Sequence, residues 1–211
     1  MAGDFVYTNT IMISRRLHRL ELLYFSLWFI AIYFLWRRMF YFDGTHYWTG
    51  WVYVWGDWQM HIPIILNFAY RSFPLPSHPL LSGEPFRYHF AADLISGLFM
   101  KAGLSLESAT FFPSVICSMV LVIAVYYFFF AIYKKKLTAI ISSLLFFFNG
   151  GLGLFIYVYQ HIIQKGLIPH TFSIIEFTKL PSYGIHWMNI WTSSFIPQRP
   201  ILLGAPLTVF I

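Results

Sequence analysis

Hydrophobic positions along this chain fall in long runs. Residues 20–36 are interrupted only by Glu21 and Ser26, with Arg15, Arg16 and Arg19 before them and Arg37 and Arg38 after. About 17–25 such residues suffice to cross the hydrocarbon of a bilayer. The run is longer than a secretory apolar core, and no small-residue cleavage site follows it, which predicts a retained signal-anchor, transmembrane helix 1. A second run, 109–133, ends in Lys134, Lys135 and Lys136, and a third, 137–159, follows at once. They predict transmembrane helices 2 and 3, joined by a cytoplasmic turn at 134–136. Residues 91–103 form a weaker run carrying Asp93 and Lys101, too short to span and predicted as an interfacial or re-entrant helix.

With the N-terminal segment 1–19 cytoplasmic, one crossing by helix 1 and a return by helix 2 keep the three lysines inside. Residues 37–108 and 160–199 then lie on the extracytoplasmic face, although Arg37 and Arg38 run against the bias. The last run, 201–211, is about 16 Å long as a helix and falls short of the roughly 30 Å of hydrocarbon. Residues 200–211 are accordingly expected to begin a fourth span of a longer protein, and the chain alone is expected to be inactive.

Composition agrees with this reading. Of 211 residues, 58% are hydrophobic and 10% charged, against about 45–50% and about 25% in soluble domains. That excludes an ordinary soluble domain and, from the other side, a disordered one. The net charge is +6, but the cations flank apolar runs instead of forming a stripe, so nucleic acid is not an expected partner. The partner is the lipid bilayer. Cys117 stands alone, so no internal disulfide can form. The predicted fold class is an all-α membrane protein, a transmembrane helix bundle with a long first extracytoplasmic loop containing interfacial helices.

On this topology six of the eight acids and seven of the eight histidines lie outside. Trp48, Trp51, Trp55 and Trp58 are spaced to share one helical face, either as an interfacial anchor or as a platform for sugar rings. Asp57 and His61 are four apart, as are His89 and Asp93, so on helices each carboxylate would lie beside an imidazole. The alternative is that the aspartates cap helices and the histidines are solvated. Pro63 is expected to interrupt a helix running on from Asp57. Residues 183–189, with His186, and then Pro197-Gln198-Arg199-Pro200 mark the second outer segment. Arg199 there could clamp a phosphate or simply flank the last span. Asn149-Gly150-Gly151-Leu152-Gly153 lies inside a predicted span and suits a bend or close packing. No hydrolase triad, zinc motif or nucleotide fingerprint occurs.

Gly56-Asp57-Trp58 with His61, the proline-rich stretch after it, and Phe86-Arg87-Tyr88-His89-Phe90-Ala91-Ala92-Asp93 following a first membrane helix resemble the GT-C superfamily. These are multi-spanning glycosyltransferases using lipid phosphosugars, and the likeness is to protein mannosyltransferase-like and uncharacterised prokaryotic members. It implies that a sugar passes from a polyprenyl-phosphate donor to an acceptor on the outer face of the cell membrane. Asp57 and His61 would be catalytic, with Arg87, His89, Asp93, His186 and Arg199 binding substrate and Arg199 on the lipid phosphate. A divalent cation would fall to Asp57 and Asp93, although relatives often carry paired acids where this chain has Asp57 followed by Trp58. The competing expectation is a non-catalytic multi-pass protein, an assembly subunit or transporter component. Against a transporter stands the scarcity of charge within the spans.

Overall fold

The computed structural model describes residues 2–50, 54–71, 78, 83–84, 86–149, 153–159, 179–180, 182, 184–186 and 189–209. The chain is mostly helical. Helix α1 is Ala2–Met39, followed by strands β1 (Phe40–Phe42) and β2 (Tyr47–Thr49). Then come α2 (Val54–Tyr70), α3 (Ala91–Lys101), α4 (Leu106–Tyr133), α5 (Lys136–Phe147) and α6 (Gly153–Val158). Strands β3 (Lys179–Leu180) and β4 (Ile185–His186), a π-helical turn at Trp191–Phe195 and α7 (Arg199–Val209) complete the described order. Among the described residues two helices are long and apolar enough to cross a membrane, His18–Met39 with 22 residues and Leu106–Tyr133 with 28.

Helix α1 buries one narrow stripe, Tyr24, Trp28, Ile32 and Trp36, at a strict four-residue spacing against α4 and α5. Its other faces expose Leu22, Leu23, Leu27, Phe29, Ile30 and Phe34. A helix apolar on every side suits an apolar solvent. The buried aromatics carry polar tips, and each of two finds a hydroxyl on another helix. Tyr24 shares a hydrogen bond with Ser143 of α5 at 2.8 Å, and Trp36 Nε1 donates to Ser118 of α4 at 2.9 Å. Such a bond contributes only about 0.6 kcal/mol in a membrane, so ring packing carries the contact and the bonds fix its register.

Charged groups join the same helices at both ends. Arg37 donates to Glu107 in the first turn of α4 at 3.2 Å and lies over the Phe111 ring. This pairing accounts for one of the two arginines that run against the topology bias. At the other end Glu21 accepts from Tyr126 of α4 and from Lys136 of α5, the latter at 2.6 Å. The α4–α5 turn closes through Lys134 in the left-handed region, φ 54°, whose N–H reaches the Phe130 carbonyl.

Several expectations need correction. The stretch 137–159 is not one helix: α5 stops at Phe147 after 12 residues, about 18 Å and too short to span. The Phe147 carbonyl, which a continuing helix would bond, instead accepts from the Asn189 side chain at 3.4 Å. Helix α2 runs through Pro63 to Tyr70. The carbonyl that Pro63 leaves without a helical donor belongs to Gln59, an exposed residue. The tryptophans do not share a helical face, because Trp48 lies in β2 and Trp58 is buried in the core, while Trp51 and the Trp55 side chain fall outside the described residues.

The chain is also not purely helical. In the β1–β2 hairpin Gly44 takes φ +104°, and Asp43 organises the turn. Its Oδ1 accepts from the Thr45 and His46 N–H groups at 2.8 and 2.7 Å, and its Oδ2 from Trp48 Nε1 at 2.5 Å. These bonds, led by that from the His46 backbone, hold the Asp43 carboxyl well below the usual carboxylate range.

Helices α2 and α3 pack closely because α3 presents Gly97 there. A Cβ at this position would lie 2.5 Å from Phe68 Cβ and 3.1 Å from the Ile65 carbonyl oxygen. Gly97→Val should therefore push the two helices apart and cost about 1–3 kcal/mol, read as a lowered thermal midpoint in detergent; an unchanged midpoint would show that the helices do not meet here. The hairpin has a pH signature. A depressed carboxyl stabilises it fully above the unfolded value near about 3.9 and loses that stabilisation as pH falls through the folded value. The Trp48 indole N–H resonance should hold its position at neutral pH and shift only below the normal aspartate range, and Asp43→Asn should abolish that late step.

Candidate functional site

Four helices place one polar cluster in the interior. Helix α2 contributes His61, α3 Asp93 and Ser96, α4 Ser114 and α7 Arg199, and the Arg199, His61 and Asp93 side chains are 2%, 0% and 0% exposed. Asp93 lies three positions before Ser96 on α3, so both face the same side. Arg199 Nη1 donates to Asp93 Oδ1 at 3.1 Å, Nη2 to Ser96 at 2.6 Å and Nε to Ser114 at 3.2 Å. The guanidinium also lies over the Trp58 ring, 5.7 Å from its centre. Trp58 in turn donates to the Ile196 carbonyl at 3.3 Å, just before α7.

The other oxygen of Asp93 meets His61 Nδ1 at 2.7 Å. With Arg199 beside it the carboxylate is ionised and accepts, so Nδ1 carries the proton and Nε2 the lone pair. Nε2 is buried and without a hydrogen-bond partner among the described residues. The cluster is close to neutral, one anion against one cation, which is what permits charges at this depth. Arg199 is the first residue of α7, where the helix dipole disfavours a cation; Asp93 offsets that as well.

Over this cluster lies the segment before α3. Tyr88 stacks obliquely near the His61 ring, 5.9 Å between centres, and its hydroxyl donates to Gln198 at 3.2 Å. Burial raises the Tyr88 hydroxyl above the usual tyrosine range; the Gln198 bond opposes the rise, and the negative charges of Asp57 and Asp93 add to it. Asp57 sits in the first turn of α2, partly exposed and with no hydrogen bond among the described residues. Arg87 and His89 are exposed on the same stretch as Tyr88.

Of the residues singled out by sequence, His61, Asp93 and Arg199 come together, and in different pairs from those expected. His61 bonds Asp93 and not Asp57, and His89 stands outside. Arg199 is neither an exposed flank nor a free clamp, since all three of its nitrogens are engaged. Asp93 accepts from Arg199 through one oxygen and meets His61 through the other; among the described residues no group of three or more histidines, cysteines and acids could hold a metal. The His186 side chain lies outside the described residues. Ser96, Ser114 and Trp58 are members that spacing arguments missed. The signal available was a hydroxyl one helical turn after Asp93 and another inside the apolar run of α4.

Breaking a buried pair from one side costs about 3–5 kcal/mol, because the remaining charge stays buried alone. Asp93→Asn and Arg199→Met should each lower stability by that order in detergent, and the double variant should lose far less than their sum. A coupling of at least about 2 kcal/mol is expected for groups in contact; strictly additive losses would show that the pair does not form. No family model matches the chain, and no curated protein or solved structure is similar to it, so the residues themselves carry the functional reading.

Proposed function

We propose that the chain belongs to a multi-pass membrane glycosyltransferase of GT-C type, which moves a sugar from a polyprenyl-phosphate donor to an acceptor at the extracytoplasmic face. The observation that carries this reading is the convergence of the residues behind the GT-C resemblance. His61, Asp93 and Arg199 lie far apart along the chain and are hydrogen-bonded together, with Tyr88 of the Arg87–Asp93 stretch beside the His61 ring and within the electrostatic influence of Asp57.

Within that reading the roles divide by exposure. Asp57 is the acid open to an incoming acceptor, and its ionised carboxylate takes the acceptor hydroxyl proton as the new glycosidic bond forms. The bond from the sugar carbon to the phosphate oxygen breaks, and its electron pair leaves with the lipid phosphate. Arg87, exposed on the neighbouring stretch, supplies positive charge for that phosphate. Arg199 and Asp93 act as positioning residues: they lock α7 to α3, and with His61 to α2, beneath the place where Asp57 and Tyr88 lie. The apolar helices α1 and α4 hold the site at the level of the donor headgroup.

The test uses the full-length protein in vesicles containing undecaprenyl phosphate or dolichyl phosphate carrying tritiated mannose or glucose. Release of free labelled sugar to water serves as the acceptor-independent readout. Asp57→Asn should reduce release by about 100-fold or more, the range of a lost general base, with membrane insertion unchanged. Full turnover by this variant removes Asp57 from the base role, and release by the wild type no faster than from protein-free vesicles with every donor overturns the transferase reading.

A further inference from the structure

The α1–α5 contact leaves a groove of about 400 Å³. Leu20, Leu23 and Leu27 line one side and Leu137, Ile140 and Leu144 the other. The one hydroxyl in its lining, on Tyr24, is already bonded to Ser143. At the far end Trp28 stacks on Phe148 with ring centres 5.5 Å apart. From Leu20 to Trp28 the groove follows α1 for about 12 Å.

The near end differs from the wall. Leu20 is preceded by Arg19, and Leu137 follows Lys134, Lys135 and Lys136. Arg19, Lys134 and Lys135 are exposed, and none has an ion-pair partner among the described residues. The acid at this end, Glu21, is occupied by Tyr126 and Lys136. Three cations without an ion-pair partner among the described residues therefore adjoin, along the chain, the residues at one end of an apolar groove that runs along a helix long enough to cross a membrane. One molecule satisfies both halves: an anionic phospholipid with its phosphate at the cations and an acyl chain along the groove.

We propose that the α1–α5 groove is a binding site for a single anionic phospholipid, held by Arg19, Lys134 and Lys135 at its headgroup. This goes beyond sugar transfer and does not depend on it. It rests on α1 lying in a bilayer, and the site is at the opposite end of α1 from Asp57. Neutral lipid fills the same groove less well, because it leaves the three charges facing one another.

The full chain is to be reconstituted in equimolar phosphatidylglycerol and phosphatidylcholine, extracted in mild detergent and stripped stepwise, with the retained lipid measured by mass spectrometry. Each cation near an anionic headgroup favours binding by about fivefold, so the last retained lipid should be enriched in phosphatidylglycerol by roughly tenfold or more. The variant with Arg19→Gln, Lys134→Gln and Lys135→Gln should retain lipid at close to the bulk ratio. Leu23→Trp, which fills the groove without touching the charges, should lower the amount retained. A wild-type ratio equal to the bulk, a triple variant that keeps the enrichment, or a Leu23→Trp variant that keeps the full amount each overturns the proposal. So does the absence of retained lipid, which would mean that a protein segment covers the groove.

Discussion

Asp93 is fully enclosed, and an isolated carboxylate there would face an idealised desolvation cost of about 20 kcal/mol. It is held because its two oxygens are divided, one to the Arg199 guanidinium and one to the His61 ring. Arg199 also donates from Nη2 to Ser96 and from Nε to Ser114, so each of its three nitrogens makes a hydrogen bond. Four helices meet through this arrangement, with Tyr88 and Gln198 bonded to each other beside it. Hydrophobic contacts alone would let α7 slide over α4; a guanidinium with three directed bonds does not.

Elsewhere the outside of the helices is apolar as well as the inside. The exposed surfaces of α1 and α4 are leucine, isoleucine and phenylalanine, while between the helices lie Ser114, Ser118 and Ser143. Small hydroxyls allow close approach and supply partners for buried tyrosine and tryptophan tips. Charges appear in joined sets, Arg37 with Glu107 at one end and Glu21 with Lys136 at the other, so that each apolar segment is fixed at both of its limits.

Much of this was legible in the chain, and what was not has a physical reason. The two long helices announce themselves because an apolar run flanked by cations has few other solutions. The third run misled because its apolar residues resume after Asn149-Gly150-Gly151, so that a break looked like a bend within one span, and the Asn189 side chain that caps the Phe147 carbonyl comes from a distant segment. The hairpin had a signal in Asp43-Gly44 between aromatic alternations, masked by the regular spacing of the tryptophans. The site residues were visible as unusual groups, yet local spacing paired them wrongly. A four-residue separation says which side chains share a helical face; it says nothing about a carboxylate on a neighbouring helix, and His61 reaches Asp93 across 32 residues.

The sequence distances within that cluster also impose an order on its assembly. Asp93 emerges from synthesis 32 residues after His61, but Arg199 follows Asp93 only 106 residues later, an interval of about 5–20 s at ordinary elongation rates. During that interval the carboxylate has the imidazole and no guanidinium. The junction is therefore closed last, by the residue that makes the most hydrogen bonds in it.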